Sequence, residues 1–336
     1  MSVETATTEL DVYGLGVRIA SDWAEVVENL RLDFAWFERP AASAAERIEV
    51  RVERRAPDFE GFGELPASFV TPRNVVYQAN GRTIVDYFGR AVSVYDRSSG
   101  SVVVQGEDQH LVHEAAYHFV VSSIGRHLES RWLPRLHALG VVGAQGGVAV
   151  MLPSGGGKST LALRSLNTDG IKLLSEDTPL LDRRGDLHPF PLRIGVNATD
   201  AAALPSDKVR RIERMEFHPK VVLEVDAFAD RIQETPVPLR HLVLGQRTLG
   251  REARLEPVAR RAAVGPLVRE LVVGVGVYQG MEFVLQRGMR DVLRSPKPAI
   301  VRSVCCAVAL RTPNIWRLTI GRDQERNWEA LQPLLS

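Results

Sequence analysis

Residues 147 to 160, Gly-Val-Ala-Val-Met-Leu-Pro-Ser-Gly-Gly-Gly-Lys-Ser-Thr, hold the residue types that can grip a polyphosphate. Gly155, Gly156 and Gly157 lack Cβ atoms, so their amides can curl round phosphate oxygens ahead of a helix N-terminus, where the partial charge is positive. Lys158 adds a mobile cation for the β and γ oxygens, and a hydroxyl at Ser159 suits Mg²⁺. Ser154 and Thr160 flank these residues and complete the expected nucleotide-binding set. The usual pattern, G-x-x-x-x-G-K-[ST], has glycine where this chain has Leu152, so the loop must open without that residue's freedom, helped by Pro153. An apolar run before the loop and Leu-Ala-Leu after it supply the strand and helix that such a cradle needs.

A second set of candidates lies downstream. Gly170 resets the chain, and Ile171 to Leu174 reads as a buried strand that delivers Ser175-Glu176-Asp177 at its carboxyl end. In open α/β sheets ligands sit outside the carboxyl ends of strands, so the glycine loop and this acidic pair are expected to face one crevice. Arg193 and Lys220 are candidates for a second cationic clamp on phosphate or acceptor. Arg210 and Arg211 sit in a basic connection that reads first as surface charge, with a hold on an acidic peptide or phosphorylated product as the alternative.

Bulk properties bound the alternatives. With 336 residues the chain is long enough for two cores. Its 42 basic and 41 acidic residues give no general field for nucleic acid or an acidic membrane. Cys305 and Cys306 are adjacent, which rules out an ordinary clip between them or a CxxC knuckle and fits a reducing cytoplasm. The N-terminal residues lack the basic and apolar regions of a signal peptide, and no run of about 18 apolar residues exists.

Residues 1–131 read as a sheet-rich N-terminal domain ending in a joining helix, and 132–336 as a second, catalytic domain. In the first, strands are expected at 13–19, 48–52, 75–78, 83–88, 92–95 and 101–104, with turn signals at Asn80-Gly81 and Ser98-Ser99-Gly100. One helix, capped by Asp22, interrupts them with Trp23, Val26, Val27, Leu30 and Phe34 inward. The longest helical pattern runs from Asp108 to Arg131. Its His110, His113, His118 and His127 lack a metal-site spacing and read as packing or solvated residues. Further on, strands are expected at 136–142, 178–181, 187–194, 221–225, 242–244 and 316–320, and helices at 159–166, 260–276, 283–293 and 323–334.

From Trp132 to about Val196 the chain resembles the catalytic domain of the HPr kinase/phosphorylase family and its diverged relatives, whose fold is related to ATP-dependent phosphoenolpyruvate carboxykinase. His137 precedes Lys158 by 21 positions as a histidine does in that family, the loop ends Gly-Gly-Gly-Lys-Ser, and Glu176-Asp177 stands at its paired acid. The resemblance implies an α/β (α+β overall) architecture, with a mixed-sheet P-loop kinase domain behind the smaller sheet-rich one. It also implies ATP and Mg²⁺, Asp177 as base on the acceptor hydroxyl, His137 tuning that base, and Glu176 or Ser159 on the metal. Two departures stand out: Glu176 replaces the family's first aspartate, and the Arg-Gly-Leu-Gly signature is absent, Pro-Leu-Arg193-Ile-Gly-Val standing in its region. The expected acceptor is therefore a hydroxyl of a peptide, protein serine or small molecule rather than HPr. Phosphorolysis or phosphatase action on a phosphoserine, and a non-catalytic nucleotide-binding regulator, are the alternatives. No nucleic-acid or membrane partner is expected; the oligomeric state stays open, a homo-oligomer being what the resemblance allows, since relatives of this kind often assemble into rings or dimers.

Overall fold

The structure is a computed structural model that describes residues 5–40, 44–153, 155–202, 204–213, 219–273, 297–311 and 314–336. It is mixed α/β and divides into two compact units. Among the described residues, Met1–His127 and Ala202–Val222 belong to the first; Leu128–Ala201, Leu223–Tyr278 and Pro296–Ser336 belong to the second. The chain thus revisits its first unit after position 201, where the sequence suggests one cut at 131/132.

Eight strands form one sheet in the first unit: β1 (Ala6–Val12), β2 (Leu15–Ser21), β3 (Glu46–Arg54), β4 (Phe69–Val70), β5 (Val75–Ala79), β6 (Arg82–Asp86), β7 (Ala91–Asp96) and β8 (Ser101–Gly106). Their spatial order is β1-β2-β3-β8-β7-β6-β5-β4, with β3 parallel to β2 and β8 and the rest antiparallel. β1 is absent from the sequence reading because its hairpin turns on Tyr13-Gly14, at φ 56° and 86°, not on an Asn-Gly pair. Helix α1 (Ala24–Asp33) has Trp23 at its N-cap without a side-chain bond. Asp22, the expected cap, instead accepts the Arg54 amide, and Ser21 Oγ accepts that of Trp23.

The long helix α2 (Gln109–Ser130) starts where Asp108 Oδ1 accepts the amides of His110 and Leu111. His113, His118 and His127 on it are buried and His110 is exposed: His113 Nε2 lies 2.8 Å from Asp33 Oδ2, and His127 Nδ1 2.7 Å from Glu46 Oε2. Arg210 also binds Asp33 and Asn29, and Arg211 pairs with Glu213. Both arginines of the basic connection are therefore spent inside this unit.

The second unit is built on a sheet in which the neighbouring strands β9 and β10 are apolar at every position, as burial on both faces requires. Strand β9 (Leu139–Gly143) pairs antiparallel with β10 (Gly146–Met151) and with β11 (Lys172–Ser175); helix α3 (Lys158–Leu166) leaves the loop after β10. Short strands β12 (Leu180–Leu181), β13 (Asp186–His188) and β14 (Ile194–Val196) follow, broken by Pro189 and Pro191 where one run to residue 194 is expected. After helix α4 (Ala198–Ala201), β15 (Val209–Ile212) and most of β16 (Lys220–Leu223) fall in the residues grouped with the first unit. Strand β17 (Val237–Arg247) lies parallel to β10, and β19 (Asn314–Ile320) parallel to β17, with β18 (Arg254–Pro257) antiparallel on its edge. β11, β10, β17 and β19 all run the same way, so their carboxyl ends share one edge.

Alternation sorts β10. Ala149 and Met151 join a core with Leu242, Leu244, Ile315, Leu267, Leu271, Cys305 and Cys306, while Val148 and Val150 are buried on the other face. The first face is covered by α5 (Val264–Leu267), a π-helical turn (Val268–Val273) and α6 (Lys297–Ala309). Helix α6 is a difference from the sequence reading; the expected 283–293 helix and the end of the 260–276 helix lie outside the described residues. Burial, with the charge of Asp182 and the neighbouring Cys306, pushes the Cys305 thiol up to about 12, so it packs as an apolar group rather than reacting. The C-terminal helix α7 (Gln324–Leu331) begins as expected, Asp323 Oδ1 accepting the Arg326 amide, with Trp328 and Leu331 inward. Among the described residues no helix is long and apolar enough to cross a membrane.

Candidate functional site

The glycine loop leaves β10 at the shared carboxyl edge, and its conformation explains its composition. Gly155 and Gly157 hold φ of 71° and 105°, and a Cβ on either would meet nothing within 4 Å; the constraint there is backbone geometry, and the space in front is open. Gly156 is fixed differently, since a Cβ would stand 2.7 Å from the Pro153 carbonyl oxygen. Its amide closes the turn onto that same oxygen at 2.8 Å. Gly157 then serves as N-cap of α3, whose first amides have no intrahelical acceptor and face the loop's mouth.

Leu152 resolves the departure at the first loop position. It is not among the residues with positive φ, so no glycine is required, and its side chain is 1% exposed. That side chain lies over Gly245 on β17, where a Cβ would meet Leu152 Cδ2 at 2.2 Å. The lost glycine in the loop is matched by one on the neighbouring strand. Gly245→Ala is expected to overpack this contact and lower stability by about 1–3 kcal/mol, with relief in the Leu152→Ala, Gly245→Ala double variant. Urea unfolding of the four proteins checks it; additive losses would contradict the contact.

Three sequence candidates converge behind the loop. Lys158 Nζ donates to the Leu152 carbonyl at 2.8 Å, lies 2.9 Å from His137 Nε2, and stands 3.2 Å from Asp177 Oδ1. Asp177 Oδ1 is also 3.2 Å from His137 Nε2. Backbone bonds set this convergence: the Ala138 amide donates to the Asp177 carbonyl at 3.0 Å, and Leu136 to that of Pro179. The Lys158 side chain is 6% exposed, whereas that of Asp177 is 41% exposed. One partner is thus sheltered and the other can be approached from outside.

Glu270, in the π-helical turn, completes the cluster and was not a sequence candidate. It is 3% exposed, its Oε2 accepts from His137 Nδ1 at 2.6 Å, and Arg269 Nε donates to its Oε1 at 2.6 Å. Burying a carboxylate requires such partners. The role of Nε2 then depends on the charge of the ring: in the neutral imidazole, with Nδ1 carrying the proton toward Glu270, it accepts from Lys158, and in the imidazolium it donates to Asp177.

The charges tune one another. Burial alone would lift the Asp177 carboxyl, but the hydrogen bond from His137 and the charges of Lys158 and His137 prevail and hold it below the usual carboxylate range. Burial would lower the His137 imidazole; Asp177, by hydrogen bond and charge, and then Glu270 outweigh it and the opposing Lys158, so it is raised. Beside this cluster Ser159 Oγ donates to Glu176 Oε1 at 2.5 Å. These are two oxygen donors in contact, a fit for a hard cation such as Mg²⁺, which takes one or two protein ligands and fills the rest of its shell with phosphate and water.

The remaining candidates are dispersed. Thr160 occupies the first turn of α3 and lines a cleft on the loop's other side. Arg193 is half-buried just before β14 in the same unit. Lys220 is exposed at the start of β16, in residues grouped with the first unit. Ser154 lies outside the described residues. Compared with known protein families and with curated proteins, the chain matches none.

Proposed function

We propose that the second unit is a P-loop kinase domain of HPr kinase type that transfers the γ-phosphate of ATP to a hydroxyl. The observation that carries this reading is the convergence of Lys158, at the head of the glycine-loop helix, on Asp177 at the end of β11, 3.2 Å apart. A cation sheltered behind a phosphate cradle and an ionised, approachable carboxylate are what phosphoryl transfer asks of a protein, since its catalysis is mostly positioning and charge.

In this reading the loop amides and Lys158 bind the polyphosphate, Lys158 exchanging its bond to Leu152 for phosphate oxygens. Asp177 accepts the proton of the acceptor hydroxyl as the acceptor oxygen bonds to the γ-phosphorus and the bridge to ADP breaks. The proton then passes from Asp177 to water. His137, held by Glu270, keeps Asp177 oriented and ionised. Mg²⁺, when bound, would be held by Ser159 and Glu176 and would offset charge on the phosphates. The acceptor is a hydroxyl of a peptide, a protein serine or a small molecule.

The test is incubation of the full chain with ATP, Mg²⁺ and a panel of serine peptides and small alcohols, read by mass for the gain of one phosphate and by ADP formation. A phosphorylated acceptor with matching ADP is the expected result. ATP bound but never consumed would leave a nucleotide-binding regulator in its place.

A further inference from the structure

A cleft of about 80 Å³ lies between the glycine loop and the turn that joins β19 to α7. Gly156, Gly157 and Thr160 form its loop side, Ile320 and Gly321 its far wall, and Arg247 and Arg322 bring cations to it. Lys158, Ser159, Glu176 and Asp177 are not in its lining. The loop therefore has two sides, one carrying the chemistry and one carrying this cleft.

We propose that the cleft is the subsite for the nucleoside end of the bound nucleotide, with Arg247 and Arg322 as its affinity-determining side chains. The inference rests on the loop being a phosphate cradle. A linear triphosphate laid along such a loop with its last phosphorus at Asp177 must leave at the opposite end, and the concavity there begins at Gly157 and Thr160.

The walls are built to hold still. Asn327 is 7% exposed and clamps Gly321 from both directions, its Oδ1 accepting the Gly321 amide at 2.9 Å and its Nδ2 donating to the Gly321 carbonyl at 3.0 Å. Gly321 admits no side chain, since a Cβ would lie 2.5 Å from the Arg251 carbonyl oxygen. Arg247 is fastened to the loop, Nη1 donating to the Gly155 carbonyl at 3.1 Å. The Arg322 guanidinium makes no hydrogen bond or ion pair among the described residues, and the nearby acids are engaged: Asp323 caps α7, and Glu325 pairs with Arg164 at 2.6 Å.

No aromatic ring lines the cleft, so a base would rest on guanidinium planes, which stack on π-systems and bind phosphate and ribose oxygens. The small volume suits a flat ring inserted partway, with the rest of the nucleoside at the mouth.

The experiment compares two probes that share the phosphates and differ in the nucleoside. Binding of ATP and of inorganic tripolyphosphate, each with Mg²⁺, is measured by calorimetry for the full chain and for Arg322→Ala and Arg247→Ala. The parent is expected to prefer ATP. Arg322→Ala, an exposed position that folding does not need, is expected to lose about tenfold in ATP affinity while keeping tripolyphosphate affinity. Equal ATP and tripolyphosphate affinities in the parent, or equal losses for both in Arg322→Ala, overturn the subsite and leave the cradle standing. A parent that binds neither probe removes the cradle itself, and the subsite with it.

Discussion

Asp177→Asn is expected to slow phosphate transfer by about 10²–10⁴ while nucleotide affinity stays close to the parent's, because the amide cannot accept the acceptor's proton yet keeps the shape of the carboxyl. The measurement is single-turnover transfer beside nucleotide binding on the same sample. Equal rates in the two proteins would remove Asp177 as the base. A variant that also fails to bind nucleotide would show that the carboxylate holds the loop together instead.

The pH dependence sharpens this expectation. Asp177 is held below the ordinary carboxylate range by His137 and Lys158 against its own burial. Activity should therefore persist on the acid side until below the ordinary aspartate value of about 3.9, as far as the fold survives. In His137→Ala the burial effect loses one opponent, so the acid limb should move to higher pH. Linkage runs with the same sign: a carboxyl depressed in the folded state adds stability above its unfolded value, and that stability is lost as pH falls through the folded one.

The parts of this site that the sequence discloses are those made by covalent neighbours. Lys158 and Ser159 follow the glycines directly, and Glu176-Asp177 ends a strand that begins at a glycine reset, so local pattern brings each to the sheet edge. His137 sits at a strand entrance, and its distance from Lys158 carries the resemblance.

Other residues meet only through tertiary structure. Glu270 lies 133 positions from His137, in a Val-Arg-Glu-Leu stretch that reads as ordinary amphipathic helix. A signal was present: Glu270 falls on the stripe of Leu267 and Leu271, both fully buried, and a carboxylate on an apolar stripe needs a buried partner. Arg247 and Arg322 come together because β17 and β19 are parallel neighbours, a pairing that strand-by-strand periodicity does not reveal. Leu152 reads as a defect until Gly245 is seen beneath it.

Glu270 gives the second large expected effect. Glu270→Ala removes one partner from a buried ionic cluster and leaves the buried His137 Nδ1 without its acceptor, a change that typically costs about 3–5 kcal/mol. Such a loss alone would not separate a structural role from a positioning one. Glu270→Gln does, through the order in which its two ends are used. Arg269 can only donate, so the amide oxygen should turn to Arg269 and the NH₂ to His137. Nδ1 must then accept, the ring proton moves to Nε2, and Nε2 can no longer accept from Lys158. Glu270→Gln should thus stay more stable than Glu270→Ala yet transfer phosphate more slowly than the parent, with kcat reduced more than KM changes. With the ring neutral, on the alkaline side of its titration, ¹⁵N shifts of His137 read the tautomer directly: proton on Nδ1 in the parent, on Nε2 in the variant. The raised His137 value adds a check, because a group raised by its partners stabilises the fold below its unfolded value of about 6.5 and stops doing so as pH rises through the folded one. The stability gap between parent and Glu270→Gln should accordingly be widest in acid and narrow toward alkaline pH. A gap that is flat with pH, with an unchanged tautomer and unchanged kcat, would reduce Glu270 to packing.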